Sequence, residues 1–67
     1  MTETYRQVLE ALRDSPKAPQ ELIQSLEGDV PEALICLAAR GLIRFDPKTL
    51  KYARDEEALR RDQEARR

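Results

Sequence analysis

Histidine and tryptophan are absent from this 67-residue chain, cysteine occurs once, and glycine only twice. Without histidine there is no imidazole to act as a base near neutral pH or to ligate zinc. One cysteine forms no internal disulfide, which excludes a disulfide-stapled secreted scaffold. Two glycines build no glycine-rich phosphate loop, and no serine or cysteine has an activating partner. Carboxylates are plentiful, but none has the apolar flanks that raise a pKa for acid–base work. The expectation is a protein that is not an enzyme, with no cofactor, no metal and no small-molecule substrate. No apolar run approaches the roughly 18 residues of a membrane span, and no signal peptide precedes the first helix. A cytoplasmic protein with no membrane partner is the corresponding expectation.

A chain this short buries only about 60% of its unfolded surface, so its core is modest. Charged residues make up 37% and hydrophobic residues 40%, the balance of a small domain with a heavily solvated exterior. The net charge of −1 hides an asymmetry. Over 1–43, four cations (Arg6, Arg13, Lys17, Arg40) face seven acids, a balance of −3. Over 44–54, Arg44, Lys48, Lys51 and Arg54 face Asp46 alone, a balance of +3.

Periodicity divides the chain into short elements. Tyr5, Val8, Leu9 and Leu12 recur at helical spacing and predict a helix over 5–14, with Thr4 and Gln7 as a capping box. Pro16 stops it, because the residue before a proline is pushed out of the helical region. A second helix starts at Pro19, runs to about Glu27 and turns Leu22, Ile23 and Leu26 inward. Gly28 and Asp29 then form a tight junction to a third helix over 29–40. Asp29 and Glu32 cap that helix, and Pro31 sits in its tolerant first turn. Wound at 100° per residue, Val30, Leu34, Leu37 and Ala38 fall on one side with Ala33 at the edge. Gly41 is placed to take a left-handed conformation at the helix end.

After Gly41 the period changes from 3.6 to 2. Strands over 42–45 and 50–53 are expected, joined by a type I turn on Asp46 and Pro47. Phe45, Leu50 and Tyr52 would cover the open end of the helical core, with Leu42, Phe45 and Tyr52 closing it. The tail over 55–67 reads as a polar helix or a disordered segment. Its acid-first pairs Glu56–Arg60, Glu57–Arg61 and Asp62–Arg66 support a helix. With Leu59 as its only large apolar residue, it is expected to add little to stability.

Three helices, a glycine–leucine–isoleucine stretch at 41–43 and a hairpin together resemble a winged helix-turn-helix domain over residues 4–54. The resemblance implies an α+β, mostly α fold, with a winged-helix domain over 1–54 and a charged C-terminal helical tail over 55–67. It also implies a brief strand near Lys17 that adds to the wing, and a role in transcription regulation or in its accessory factors. In DNA-binding members the outward face of the third helix enters the major groove.

The matching positions here are Asp29, Glu32, Ile35, Cys36, Ala39 and Arg40. Two acids would face phosphates there, and Ile35, Cys36 and Ala39 read no base pattern. They form instead a small apolar patch with a charged rim, the character of a protein contact. Cys36 is read as a small half-exposed hydrophobe rather than a redox or metal site. Partner binding or self-association through this face is the favoured expectation. The alternative is DNA or RNA binding through Arg44, Lys48, Lys51 and Arg54, which otherwise are a solvated hairpin edge.

Overall fold

A computed structural model describes residues 3–66. The order is α1 (Glu3–Ala11), α2 (Pro19–Ser25), α3 (Val30–Ala39), β1 (Ile43–Asp46), β2 (Lys51–Arg54) and α4 (Glu56–Ala65). The fold is α+β and mostly helical, with one antiparallel hairpin.

Helix α1 starts and stops earlier than its apolar stripe suggests. Thr4 lies inside its first turn, so it does not cap the helix. The Thr4 hydroxyl instead packs against Gly28. Glu3 occupies the acid-favouring first turn and pairs with Arg6 at 2.8 Å. At the far end the Arg13 N–H reaches Glu10 O at 3.1 Å, which tightens the last turn and ends the helix before Asp14.

Helix α2 begins at Pro19 as expected, and the Ala18 N–H donates to Glu21 Oε2 at 2.9 Å. It ends at Ser25, two residues short of Glu27, so the connection to α3 spans 26–29 rather than Gly28 and Asp29 alone. Asp29 caps α3, accepting from the Glu32 N–H at 3.2 Å. At the other end Gly41 has φ +76°. The Leu42 N–H bonds to Leu37 O and the Gly41 N–H to Ala38 O, each at 3.0 Å. This pair of bonds is a Schellman motif, and Leu42 and Leu37 are both buried beside it.

The core gathers Val8, Leu9, Leu12, Leu22, Val30, Ala33, Leu34, Leu37, Leu42, Ile43 and Leu59. Five expected members are missing from it. Ile23, Phe45 and Ala38 stand exposed while Ala33 is fully buried, and Leu26 and Tyr52 pack against it only partly buried. Leu50, expected to help cover the open end of the core, is also exposed. Alanine suits either side of a helix, so the stripe of α3 did not distinguish Ala33 from Ala38. Ile43 takes the place expected for Phe45, because the Schellman turn buries Leu42 and the strand then buries the next residue as well.

The hairpin pairs Ile43 with Arg54, Arg44 with Ala53, Phe45 with Tyr52 and Asp46 with Lys51. Alternation puts Ile43, Phe45, Tyr52 and Arg54 on the inner face and Arg44, Asp46, Lys51 and Ala53 on the outer one. The loop is longer than a type I turn over 46–49. Asp46 Oδ1 accepts from the Lys48 N–H at 2.8 Å, and Asp46 O accepts from the Leu50 N–H at 2.7 Å. With no glycine available, Leu50 itself takes the left-handed conformation, φ 59°. Lys17 adds one bridge to the outer side of β2, through bonds to Tyr52.

The segment after β2 is helical and docked. Leu59 is 7% exposed and belongs to the core, so one leucine docks a segment that was expected to have too little to bury. Asp55 caps α4 by accepting from the Ala58 N–H at 3.1 Å, and its own N–H donates to Leu42 O at 2.9 Å. The pairs Glu57–Arg61 and Asp62–Arg66 form at 3.0 and 3.2 Å. Glu56 pairs with Arg54 rather than with Arg60.

Candidate functional site

Two surfaces carry the residues singled out by the sequence. On α3 the core side is set by Val30, Ala33, Leu34 and Leu37, which leaves Ile35 in the middle of the opposite side, 68% exposed. Asp29, Glu32, Ala39 and Arg40 are exposed around it. Pro31 and Ala38, four residues before and three after Ile35, are exposed on the same side and extend the apolar strip. Sequence reasoning missed both.

Cys36 does not stand with Ile35. It is half-buried, and its thiol is a hydrogen-bond partner of the Tyr5 hydroxyl on α1. That bond raises the Tyr5 phenol above its ordinary value, and desolvation pushes the same way. Glu32 adds to the rise and Arg40 opposes it, which places both charges near the phenol. Of the six expected contact residues, Cys36 alone is half-buried, as the sequence predicts. The other five remain on the surface.

The hairpin cations divide in the same manner. Arg54 points inward, with a side chain only 17% exposed. Its Nη1 donates to Leu9 O at 2.9 Å and its Nη2 to Glu56 Oε1 at 3.1 Å. Its Nε lies 2.9 Å from Glu56 Oε2, an ion-pair distance, but the N–H is not aligned for a hydrogen bond. Arg44 is 79% exposed on the outer face and pairs with Asp55 at 2.9 Å. The Asp55 carboxyl sits below its ordinary value, chiefly because it accepts from the Ala58 N–H and secondly because Arg44 is beside it. Lys48 and Lys51 are exposed, and neither ammonium pairs with a carboxylate among the described residues. The four expected cations therefore do not form one patch.

Between the hairpin and the start of α2 lies a shallow depression of about 400 Å³, lined by Ala18, Pro19, Gln20, Phe45 and Leu50. The Phe45 ring leans on Tyr52 with centroids 5.0 Å apart. On the outer side Ser15, Pro16, Asp46, Thr49, Lys51 and Ala53 line a second depression of about 360 Å³. Among the described residues no helix is long and apolar enough to cross a membrane. No family model, curated protein or solved structure matches the chain.

Proposed function

We propose that this protein is a non-enzymatic binding module of winged-helix, transcription-regulator type that contacts a protein partner through the outer side of α3. The order helix, bridge, helix, helix, hairpin supports the winged-helix reading, and so does the pairing of Lys17 with β2 rather than β1. The observation that carries the contact is Ile35. It is a large apolar side chain held in the open by a helix whose opposite side is packed, between exposed Pro31, Ala38 and Ala39. Asp29 and Glu32 at the helix start repel phosphate and suit a basic rim on the partner. One helix side is small, so the contact is of modest area and of about micromolar strength.

The alternative, DNA or RNA binding through the wing, keeps only Lys48 and Lys51 as cations without an ionic partner. Two phosphate contacts give weak binding with a shallow salt dependence, so a steep one needs more of the surface than these two lysines. The test is a titration of generic duplex DNA across about 50–200 mM salt. The expected result is no retention near physiological salt. Tight binding that falls steeply with salt, and is lost in Lys48→Glu with Lys51→Glu, overturns the protein-partner reading. Ile35→Asp is expected to remove the protein contact while leaving the fold intact.

A further inference from the structure

The register of the hairpin settles which backbone groups face outward. Within a strand, the N–H and C=O of one residue point to one side and those of the next residue to the other. Tyr52 gives both to Lys17: its N–H donates to Lys17 O at 2.8 Å, and its C=O accepts from the Lys17 N–H at 3.0 Å. Tyr52 is therefore turned away from β1, and Phe45 opposite it is the member of a non-hydrogen-bonded pair. The ladder to β2 runs through Arg44 and Asp46. The Phe45 N–H and C=O point to the far side of β1, where no further strand pairs among the described residues.

The same residue holds its ring 45% exposed beside the depression lined by Ala18, Pro19 and Leu50. An unpaired donor, an unpaired acceptor and an exposed aromatic ring thus coincide at one position of a strand edge, the arrangement that invites a further strand. What flanks Phe45 decides which strand fits. Arg44 and Asp46 project from the outer face on either side of it. An antiparallel copy of β1 placed with Phe45 opposite Phe45 sets Arg44 against Asp46 of the second copy, and Asp46 against its Arg44. Opposite charges directly across an antiparallel pair stabilise it. A two-fold arrangement also closes on itself and leaves no edge for growth.

We propose that the chain forms a two-fold dimer through the open edge of β1, with Phe45 at the symmetry axis. Each Phe45 N–H donates to the Phe45 carbonyl of the other copy. The two rings cover each other on the inner face, and on the outer face each Arg44, which holds Asp55 at 2.9 Å within its own chain, also reaches Asp46 of the other copy. Pro47 has no N–H and ends the ladder, which keeps the dimer weak, with a dissociation constant on the order of 100 μM for so short a contact. The surface is separate from the Ile35 strip on α3, so the dimer does not depend on the partner reading above.

The decisive experiment is sedimentation equilibrium of the full chain up to about 1 mM, a range that brackets such a constant. It is repeated on a chemically synthesised chain carrying N-methylphenylalanine at position 45. That methyl removes a donor that no strand pairs with in the monomer among the described residues, so circular dichroism and Tm should be unchanged. Dimerisation should weaken roughly tenfold or more, since two symmetric bonds are lost. Ile35→Asp should leave the dimer as it is. A chain that stays monomeric at the highest concentration overturns the proposal. So does a dimer indifferent to the N-methyl group, and so does one abolished by Ile35→Asp, which would put the contact on α3.

Discussion

Arg54 Nη1 donates a 2.9 Å hydrogen bond to the Leu9 carbonyl oxygen, joining residues 45 apart in the chain. The last carbonyls of any α-helix lack intrahelical partners, and the last turn of α1 contains no basic residue. The Arg13 N–H, which would have served Leu9 O in a longer helix, bonds to Glu10 O instead. Arg54 thus supplies from β2 both the missing donor and the cation that the helix dipole favours.

Replacing Arg54 with methionine should therefore destabilise the fold by about 1.5–3 kcal/mol, the range for a hydrogen bond to a charged group. Urea unfolding measures it. Arg54→Lys should recover part of the loss, because the charge is kept and the fork is not. A change within about 0.5 kcal/mol of zero would mean that the bond adds nothing beyond an ordinary surface contact.

Leu59→Ala should cost about 2–5 kcal/mol, and deleting residues 55–67 should lower Tm severely. Leu59 is a buried member of the core, and the Asp55 N–H also satisfies Leu42 O. A Tm unchanged by the deletion would show that α4 folds onto the rest without stabilising it.

The two glycines should respond differently to alanine. Both have positive φ, +91° at Gly28 and +76° at Gly41. A Cβ at Gly41 meets nothing within 4 Å, so Gly41→Ala carries only the left-handed strain of about 1–2 kcal/mol. A Cβ at Gly28 would also collide with Thr4 Oγ1. Gly28→Ala should be the more damaging of the two, and Thr4→Ala in the same chain should restore part of the loss. Equal Tm values for the two single variants would refute the close approach of Thr4.

Acid should weaken the start of α4. The Asp55 pKa is lowered in the fold from its ordinary 3.8 by the Ala58 N–H and by Arg44. A carboxyl whose folded value is depressed contributes stability that is fully present above its unfolded value and lost as pH falls through the folded one. Stability should thus decline below about pH 4, and Asp55→Asn should flatten that part of the profile. The check is the urea midpoint between about pH 7 and 2, and an unchanged acid limb in the variant counts against the cap.

Much of the helical half was legible in the chain itself. Pro19, Asp29 and Gly41 each impose a local backbone requirement that nothing distant can override, so the start of α2, the cap of α3 and the turn after it follow from the sequence. Leucine stripes named Val8, Leu9, Leu12, Leu22, Leu34 and Leu37 for the core because burial of branched apolar groups dominates at helical spacing. The exposure of Ile35 at the centre of the outer side of α3 follows from the same spacing.

Tertiary structure decided the rest, wherever a residue had two acceptable environments. Alanine is tolerated inside or out, so only the tertiary packing of α3 put Ala33 in the core and Ala38 in water. Arginine has an apolar stem and a charged head, and the orphaned carbonyl of Leu9 drew Arg54 inward while Arg44 stayed out. A solitary Leu59 carries no periodic signal, yet it is buried in the core. The open edge of β1 depends on Lys17 pairing with Tyr52, a contact across 35 residues that no local pattern encodes.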